Sequence, residues 1–305
     1  MKTFIGIVLS SIFAFNALAA EKINVISYTG PAGTISMFGK KLVDVANEIQ
    51  SDYQFNLVSK PGAGGLVAVQ EMNKNSDNSI VAVSAGFVDQ SIKGKLNESD
   101  YVVVSSLGDA CWVLVSDKGS EKDGITSLKG VDKLNVGSIA HGSSVHLSSL
   151  KLGDYIGFKV TNVVFKSTIE AMTLMATDKS VNFIIDNPRN FLSLKSKFPN
   201  LNGLGVSCDM RNPIIPEVKT FTEQGYVNVP NIWSVLVANK SMPESKRAEI
   251  SNILDRALAK IGQNKILEQF NFKVPQLNGI SSEKHFELNK EVIRSVRTQF
   301  SKELN

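Results

Sequence analysis

Residues 135–150 read "NVGSIAHGSSVHLSSL". An apolar run closes at Ser138, a turn of small residues follows, and a helix is predicted to begin near Ser144 with Ser143 at its N-cap. Strand, turn, helix is half of an α/β unit, and the residues downstream complete it. "VTNVVF" (160–165) reads as a strand, and "STIEAMTLMA" as a helix opened by Ser167 and Glu170 in a capping box. "SVNFIID" (180–186) reads as another strand.

The same rhythm occurs earlier in the chain. "KINVISY" (22–28) and "YQFNLVS" (53–59) alternate apolar and polar residues, and "SIVAVSA" (79–85) is a short apolar run. Between the first two, Ile35, Phe38, Leu42, Val45 and Ile49 recur at spacings of three and four, one face of a helix. Repeated alternation predicts α/β domains with largely parallel sheets. Two such units in 305 residues predict two lobes. Two strand-like segments, 101–117 and 201–209, bracket the second unit and are the expected crossovers. Lobe one is then residues 21–106 and 212–305, and lobe two residues 107–211. Two amphipathic helices close the chain, the last from about Ser282.

The first twenty residues, "MKTFIGIVLSSIFAFNALAA", pair a basic start with an apolar core and a small-residue end. That pattern is an export signal cleaved near Ala19 or Ala20, too short in its apolar core to span a membrane. Export predicts a periplasmic protein and removes cytosolic nucleotides as routine cofactors, so no cofactor is expected. The net charge of +4 is mild and no basic run stands out, which gives nucleic acid no footprint.

The opening stretch admits three chemistries. A hydrolase would use Ser143 as nucleophile and His146 as base, but it needs a sharp nucleophile turn and an acid to orient the base, and neither is evident. A metal site would need more than His141 and His146, five residues apart and without a carboxylate or Cys companion. An anion cradle needs only Ser138, Gly142, Ser143 and the free N–H groups of the first helical turn. A purely structural cap remains the plain alternative. In lobe one, "YTGPAGTISMFGKKL" (28–42) has five residues between Gly33 and Gly39 and no hydroxyl after Lys40, so it is not a nucleotide phosphate loop. It reads instead as a turn with Thr34 capping the helix. Tyr28, Thr29 and Thr34 are its ligand candidates, at the carboxyl edge where α/β sheets bind ligands. Ser84, Ala85 and Gly86 offer a hydroxyl and two amides. Asp186 ends its strand where a cleft would open, either to receive a ligand donor or to cap the next helix. Trp112 and Trp233 read as core.

The succession "KPGAGGLVAVQEM", "NVGSIAHGSSVHL", "VVFKSTIEAMTLMATDKSVNFIID", "PEVKTFTEQGY" and "WSVLVANKSMPESKRAEISNILDRAL" resembles the tripartite tricarboxylate transporter receptors, the Bug proteins, over nearly all the mature chain. The resemblance implies an α/β fold of the type II periplasmic binding protein kind, two lobes joined by two crossover strands around a ligand cleft. It implies a monomeric solute receptor, not an enzyme, that captures a small carboxylate and delivers it to transporter membrane subunits or to a sensor. The family's first loop usually carries an Asp and, one helical turn later, an Arg. Ile35 and Gly39 stand there in this chain. In this fold family the crossovers run side by side, which implies that Cys111 and Cys208 pair in the oxidising compartment.

Overall fold

The computed structural model describes residues 20–31, 33–119, 121–208, 210–227, 229–263, 272–274 and 278–304. Apart from Ala20, the expected export signal lies outside them.

Six strands build the first sheet, in the order β11-β4-β10-β3-β1-β2. They are β1 (Glu21–Ser27), β2 (Tyr53–Ser59), β3 (Ser79–Val83), β4 (Tyr101–Ala110), β10 (Ile232–Asn239) and β11 (Phe272–Lys273). Five build the second, in the order β7-β6-β8-β5-β9: β5 (Val113–Ser116), β6 (Lys133–Ser138), β7 (Lys159–Val164), β8 (Phe183–Asp186) and β9 (Asn202–Val206). Each sheet is parallel at one side and antiparallel at the other. β1 pairs parallel with β2 and β3, while β10 runs antiparallel to β3 and β4. β6 pairs parallel with β7 and β8, while β5 runs antiparallel to β8 and β9.

Every residue of β3 is buried, because both faces of the first sheet are covered. On one face α1 (Thr34–Glu48) and α7 (Glu244–Gln263) pack Phe38, Leu42, Leu254 and Leu258 against Ile23, Phe55 and Ile80. On the other lie α2 (Leu66–Asn73), α3 (Ala85–Ile92) and α8 (Ser282–Gln299), with Met72, Val88 and Ile293 against Val81 and Val235. Each such side chain, fully buried, contributes about 1.5–3 kcal/mol. In the second lobe α4 (Ser144–Ile156) covers one face, while α5 (Thr168–Thr177) and α6 (Pro188–Lys195) cover the other. Ser167 caps α5 as expected, its Oγ accepting from the Glu170 N–H at 3.1 Å. The Glu170 carboxylate reaches back to the Lys166 N–H, one residue earlier than a capping box requires.

The lobe boundaries fall elsewhere than the sequence suggests. β4 stays in the first sheet as far as Ala110, so the outward crossing is at Cys111–Trp112 rather than at 106–107. The segment 201–209 is not the return crossing, since β9 is the edge strand of the second sheet. Residues expected in lobe one pack on lobe two instead. Ile215 and Val218 join one of its clusters, Phe221 joins the other, and Thr220 bridges Val206. The edge of β9 needs that cover, and the chain re-enters the first sheet only at Ile232. Cys111 and Cys208 are joined, with Cα atoms 5.1 Å apart. Beside them the Trp112 N–H donates to Ser207 Oγ at 3.0 Å and the Ser207 N–H to the Trp112 carbonyl at 2.9 Å. The bridge therefore ties the outward crossing to the end of β9, not one crossing to the other.

Candidate ligand cleft

Four strands of the two sheets end in the candidate loops: β1 at Tyr28, β3 at Ser84, β6 at Ser138 and β8 at Asp186. Tyr28 carries the first hydroxyl of the site. It bonds the hydroxyls of Ser84 and Ser234, and burial pushes its pKa up to about 12 despite those bonds, so it stays a neutral donor. Ser234, from β10, also donates to the Val83 carbonyl at 3.0 Å.

Ser84 is the N-cap of α3, yet its side chain makes no capping bond. Its Oγ lies 3.3 Å from Ser144 Oγ, the first residue of α4. The N-termini of one lobe-one helix and one lobe-two helix therefore meet. Their unpaired first-turn N–H groups attract negative charge. Ser143 caps α4, with its Oγ accepting from the His146 N–H at 3.4 Å. Gly142 sits at φ 70°, a conformation that favours glycine. Ser138 turns its hydroxyl to the Ala140 carbonyl at 3.2 Å, closing the loop from below.

Other candidates serve the scaffold. Thr34 does not cap α1: the cap position is Gly33, without a side-chain bond, and Thr34 is the first helical residue. Thr29 takes over the task, its Oγ1 accepting from the Ser36 N–H at 3.2 Å within a knot of hydroxyls from Ser27, Ser36 and Ser59. A Cβ on Gly33 would come within 2.8 Å of Thr29 Oγ1, which explains the glycine. Ala85 is fully buried. Gly86 accommodates the neighbouring loop, since a Cβ there would lie 2.2 Å from the Gly64 carbonyl oxygen. That close approach accounts for "KPGAGG", whose Gly62, Gly64 and Gly65 all have positive φ. The Asp186 carboxylate accepts from the Asn187 N–H at 2.7 Å, from Asn190 at 3.1 Å and from the Thr168 hydroxyl of α5, so its oxygens are engaged within lobe two, and burial raises its pKa. Ile35 packs in the lobe-one core beside Val25 and Phe38, so its replacement of the family's Asp is a core residue rather than a cleft residue.

The arrangement does not assemble a hydrolytic dyad from Ser143 and His146. The serine hydroxyl engages a backbone N–H, and His146 Nδ1 accepts from the Gly142 N–H at 3.1 Å. The ring is 2 % exposed, and burial, then His141, Lys93 and Arg297, hold its pKa down to about 4. The two histidine rings do meet, centroids 5.2 Å apart, because His141 lies in the turn before the helix and not on it. Among the described residues no cluster of three or more His, Cys, Asp or Glu gathers to hold a metal ion.

Ser144, Ser234, Asp89 and Arg297 escaped the sequence reading. Ser144 adjoins a named residue, and Asp89 lies within "SAGFVDQ". Ser234 and Arg297 come from distant segments and carry no local signal.

A family model described as the tripartite tricarboxylate transporter family receptor matches residues 54–294. No curated protein sequence matches the chain at a significant level. Several solved structures share the fold. The periplasmic binding protein BugD aligns with TM-score 0.75 and 19% identity over 92% of this chain and 97% of its own. MatC from Rhodopseudomonas palustris, with bound malate, aligns with TM-score 0.71 and 18% identity over 91% and 98%. R. palustris Rpa4515, with adipate, aligns with TM-score 0.73 and 18% identity over 91% and 96%.

Proposed function

Because the chain belongs to the tripartite tricarboxylate transporter family of receptors, we propose that it captures a small organic acid between its lobes and passes it to the membrane subunits of such a transporter. The family is one of periplasmic substrate-binding receptors, so the protein works in the periplasm. It arrives there through a signal cleaved near Ala19 or Ala20, and it acts as a monomer.

The observation that carries this reading is the meeting of α3 and α4 at Ser84 and Ser144, 3.3 Å apart. Two helix N-termini converge on one place, with the neutral donors of Tyr28, Ser84 and Ser144 around it. A carboxylate is matched by N–H and O–H donors without any fixed cation. Recognition by amides and hydroxyls suits a ligand whose charge is modest: Ala85, Gly86 and Ser144 carry the first-turn amides, while Gly142 and Ser143, whose own N–H groups bond His146 and Ala140, shape the loop. Asp186, with its oxygens bonded to its own turn and to Thr168 of α5, bears on the ligand only through the shape of that loop.

A thermal-shift screen tests the reading. Malate and adipate, bound by two of the structurally similar proteins, head a panel of dicarboxylates, tricarboxylates, acidic amino acids and aromatic acids. An acid at 100 times its Kd stabilises the native state by about 2.7 kcal/mol. If no acid shifts the transition and native mass spectrometry finds no co-purified ligand, the receptor reading fails.

A further inference from the structure

Helix α4 belongs to the second sheet but buries one face in lobe one. Leu147 and Leu150 join the cluster of Phe87, Trp233 and Phe286. Near its far end Gln299 of α8 bonds Lys151 at 3.0 Å and Asp154 at 2.8 Å. At its near end the Gly142 turn rests on Asp89 of α3, where a Cβ on the glycine would lie 2.4 Å from the carboxyl carbon. The Asp89 side chain has no exposure and pairs with Lys93 and Arg297, each at 2.8 Å. His146 holds this turn in place through the bond from the Gly142 N–H to Nδ1.

That bond exists only while Nδ1 is unprotonated, because a protonated imidazole has two donors and no acceptor. The charged and titratable groups facing His146 are His141 from its own turn, Lys93 and Asp89 from α3, and Arg297 from α8. Asp89 is the only anion of that set, and the two cations already share it. We propose that His146 is a proton-controlled positioning residue for lobe closure: unprotonated, it seats the Gly142–Ser144 turn against lobe one, and protonation frees the turn and parts the lobes.

The direction follows from the environment. In the closed form the imidazole is held down to about 4. Opening relieves its burial and withdraws it from Lys93 and Arg297, so it returns toward the ordinary 6.5. Between those values the open form binds more protons. The closed-to-open ratio therefore falls as pH drops below about 6.5, and the effect levels off near pH 4.

The proposal rests on the two-lobe receptor reading, but its test contains no ligand, so a failed acid screen leaves it decidable. Small-angle X-ray scattering of the ligand-free mature protein, from about pH 7.5 to about pH 4.5, reads lobe separation across this window. Long-range proton–nitrogen spectra of the three histidines read His146 itself. Expected are an Nε2–H tautomer at neutral pH and a rise in radius of gyration that coincides with His146 protonation. The open-to-closed ratio changes by at most about tenfold per pH unit. His146→Asn keeps an acceptor near Nδ1 with no proton to gain, and stays compact across the range. The proposal is overturned if His146 protonates with the radius unchanged, or if H146N opens with the wild-type profile. Should H146N fail to fold, the wild-type midpoints decide alone: coincidence supports the proposal and separation overturns it.

Discussion

Ser84 Oγ and Ser144 Oγ, sixty residues apart in the chain, stand 3.3 Å from each other at the N-termini of helices in different lobes. A ligand binding here would part this contact and take up the hydroxyls that now bond each other. Replacing Ser84 or Ser144 by Ala should weaken binding of the best acid from the screen by about 1–2 kcal/mol each. The double variant should lose less than the sum, because the two hydroxyls are in contact. Calorimetric titration checks this. Wild-type affinity in both single variants places the ligand elsewhere.

Tyr28 supplies an alkaline signature. Burial raises its hydroxyl from 10 to about 12. Between those values the unfolded chain releases a proton that the native protein keeps, so stability falls as pH rises through this window, by up to about 1.4 kcal/mol per unit. Phenolate absorbance should show two tyrosines ionising late, Tyr28 and Tyr53, the latter raised by burial and by the Glu249 carboxylate that accepts its hydroxyl. Tyr28→Phe should remove one of the two late steps and lessen the alkaline loss of stability, leaving the Tyr53 step in place. If every tyrosine in the native protein ionises together near 10, Tyr28 is more open to solvent than the structure places it.

Gly86 and Gly142 are both crowded, with different consequences. A Cβ on Gly86 meets the Gly64 carbonyl oxygen inside lobe one. Gly86→Ala should therefore destabilise the protein by about 3 kcal/mol, seen as a lower urea midpoint at constant slope. A Cβ on Gly142 meets Asp89 of the other lobe. Gly142→Ala should cost about 1–2 kcal/mol for its left-handed backbone and in addition hold the lobes apart at all pH, with a larger radius of gyration. Equal loss of stability in both variants would contradict this division.

The Cys111–Cys208 bridge closes a sequence separation of 97 residues around most of the second sheet. Loop-closure entropy for about 100 residues gives an upper figure near 4.7 kcal/mol. Replacing both cysteines by Ser should lower stability by about 2–5 kcal/mol and make it insensitive to reductant. Mass spectrometry of unreduced periplasmic protein should show two hydrogens fewer than the dithiol form. Two alkylatable thiols in that material exclude the bridge.

The strands and helices were legible because their signals are local. Alternation in 22–28 and 53–59, three-and-four spacing in 35–49, and hydroxyl caps at Ser143 and Ser167 each need only a few neighbouring residues. The same locality misled where a contact had another source. Thr34 looked like a cap because it precedes an apolar face, but Thr29 reaches the helix from the strand end. Ile35 stands where the family's first loop carries an Asp, but the face of α1 that bears it turns to the sheet, as its place in the apolar periodicity requires.

By itself the sequence determined two α/β units and a receptor-like order of motifs, and it predicted export and the loops in which a ligand would bind. Only the tertiary structure decided where the chain crosses between lobes, which hydroxyls converge and which charges are buried. Residues 212–227 belong with lobe two because the edge of β9 must be covered, and nothing in that segment's own pattern names the edge. Ser234 meets Tyr28, and Arg297 meets Asp89, across more than two hundred residues of chain. Such pairings depend on how two sheets and their helices pack, and periodicity along one segment carries no information about a partner that arrives from another.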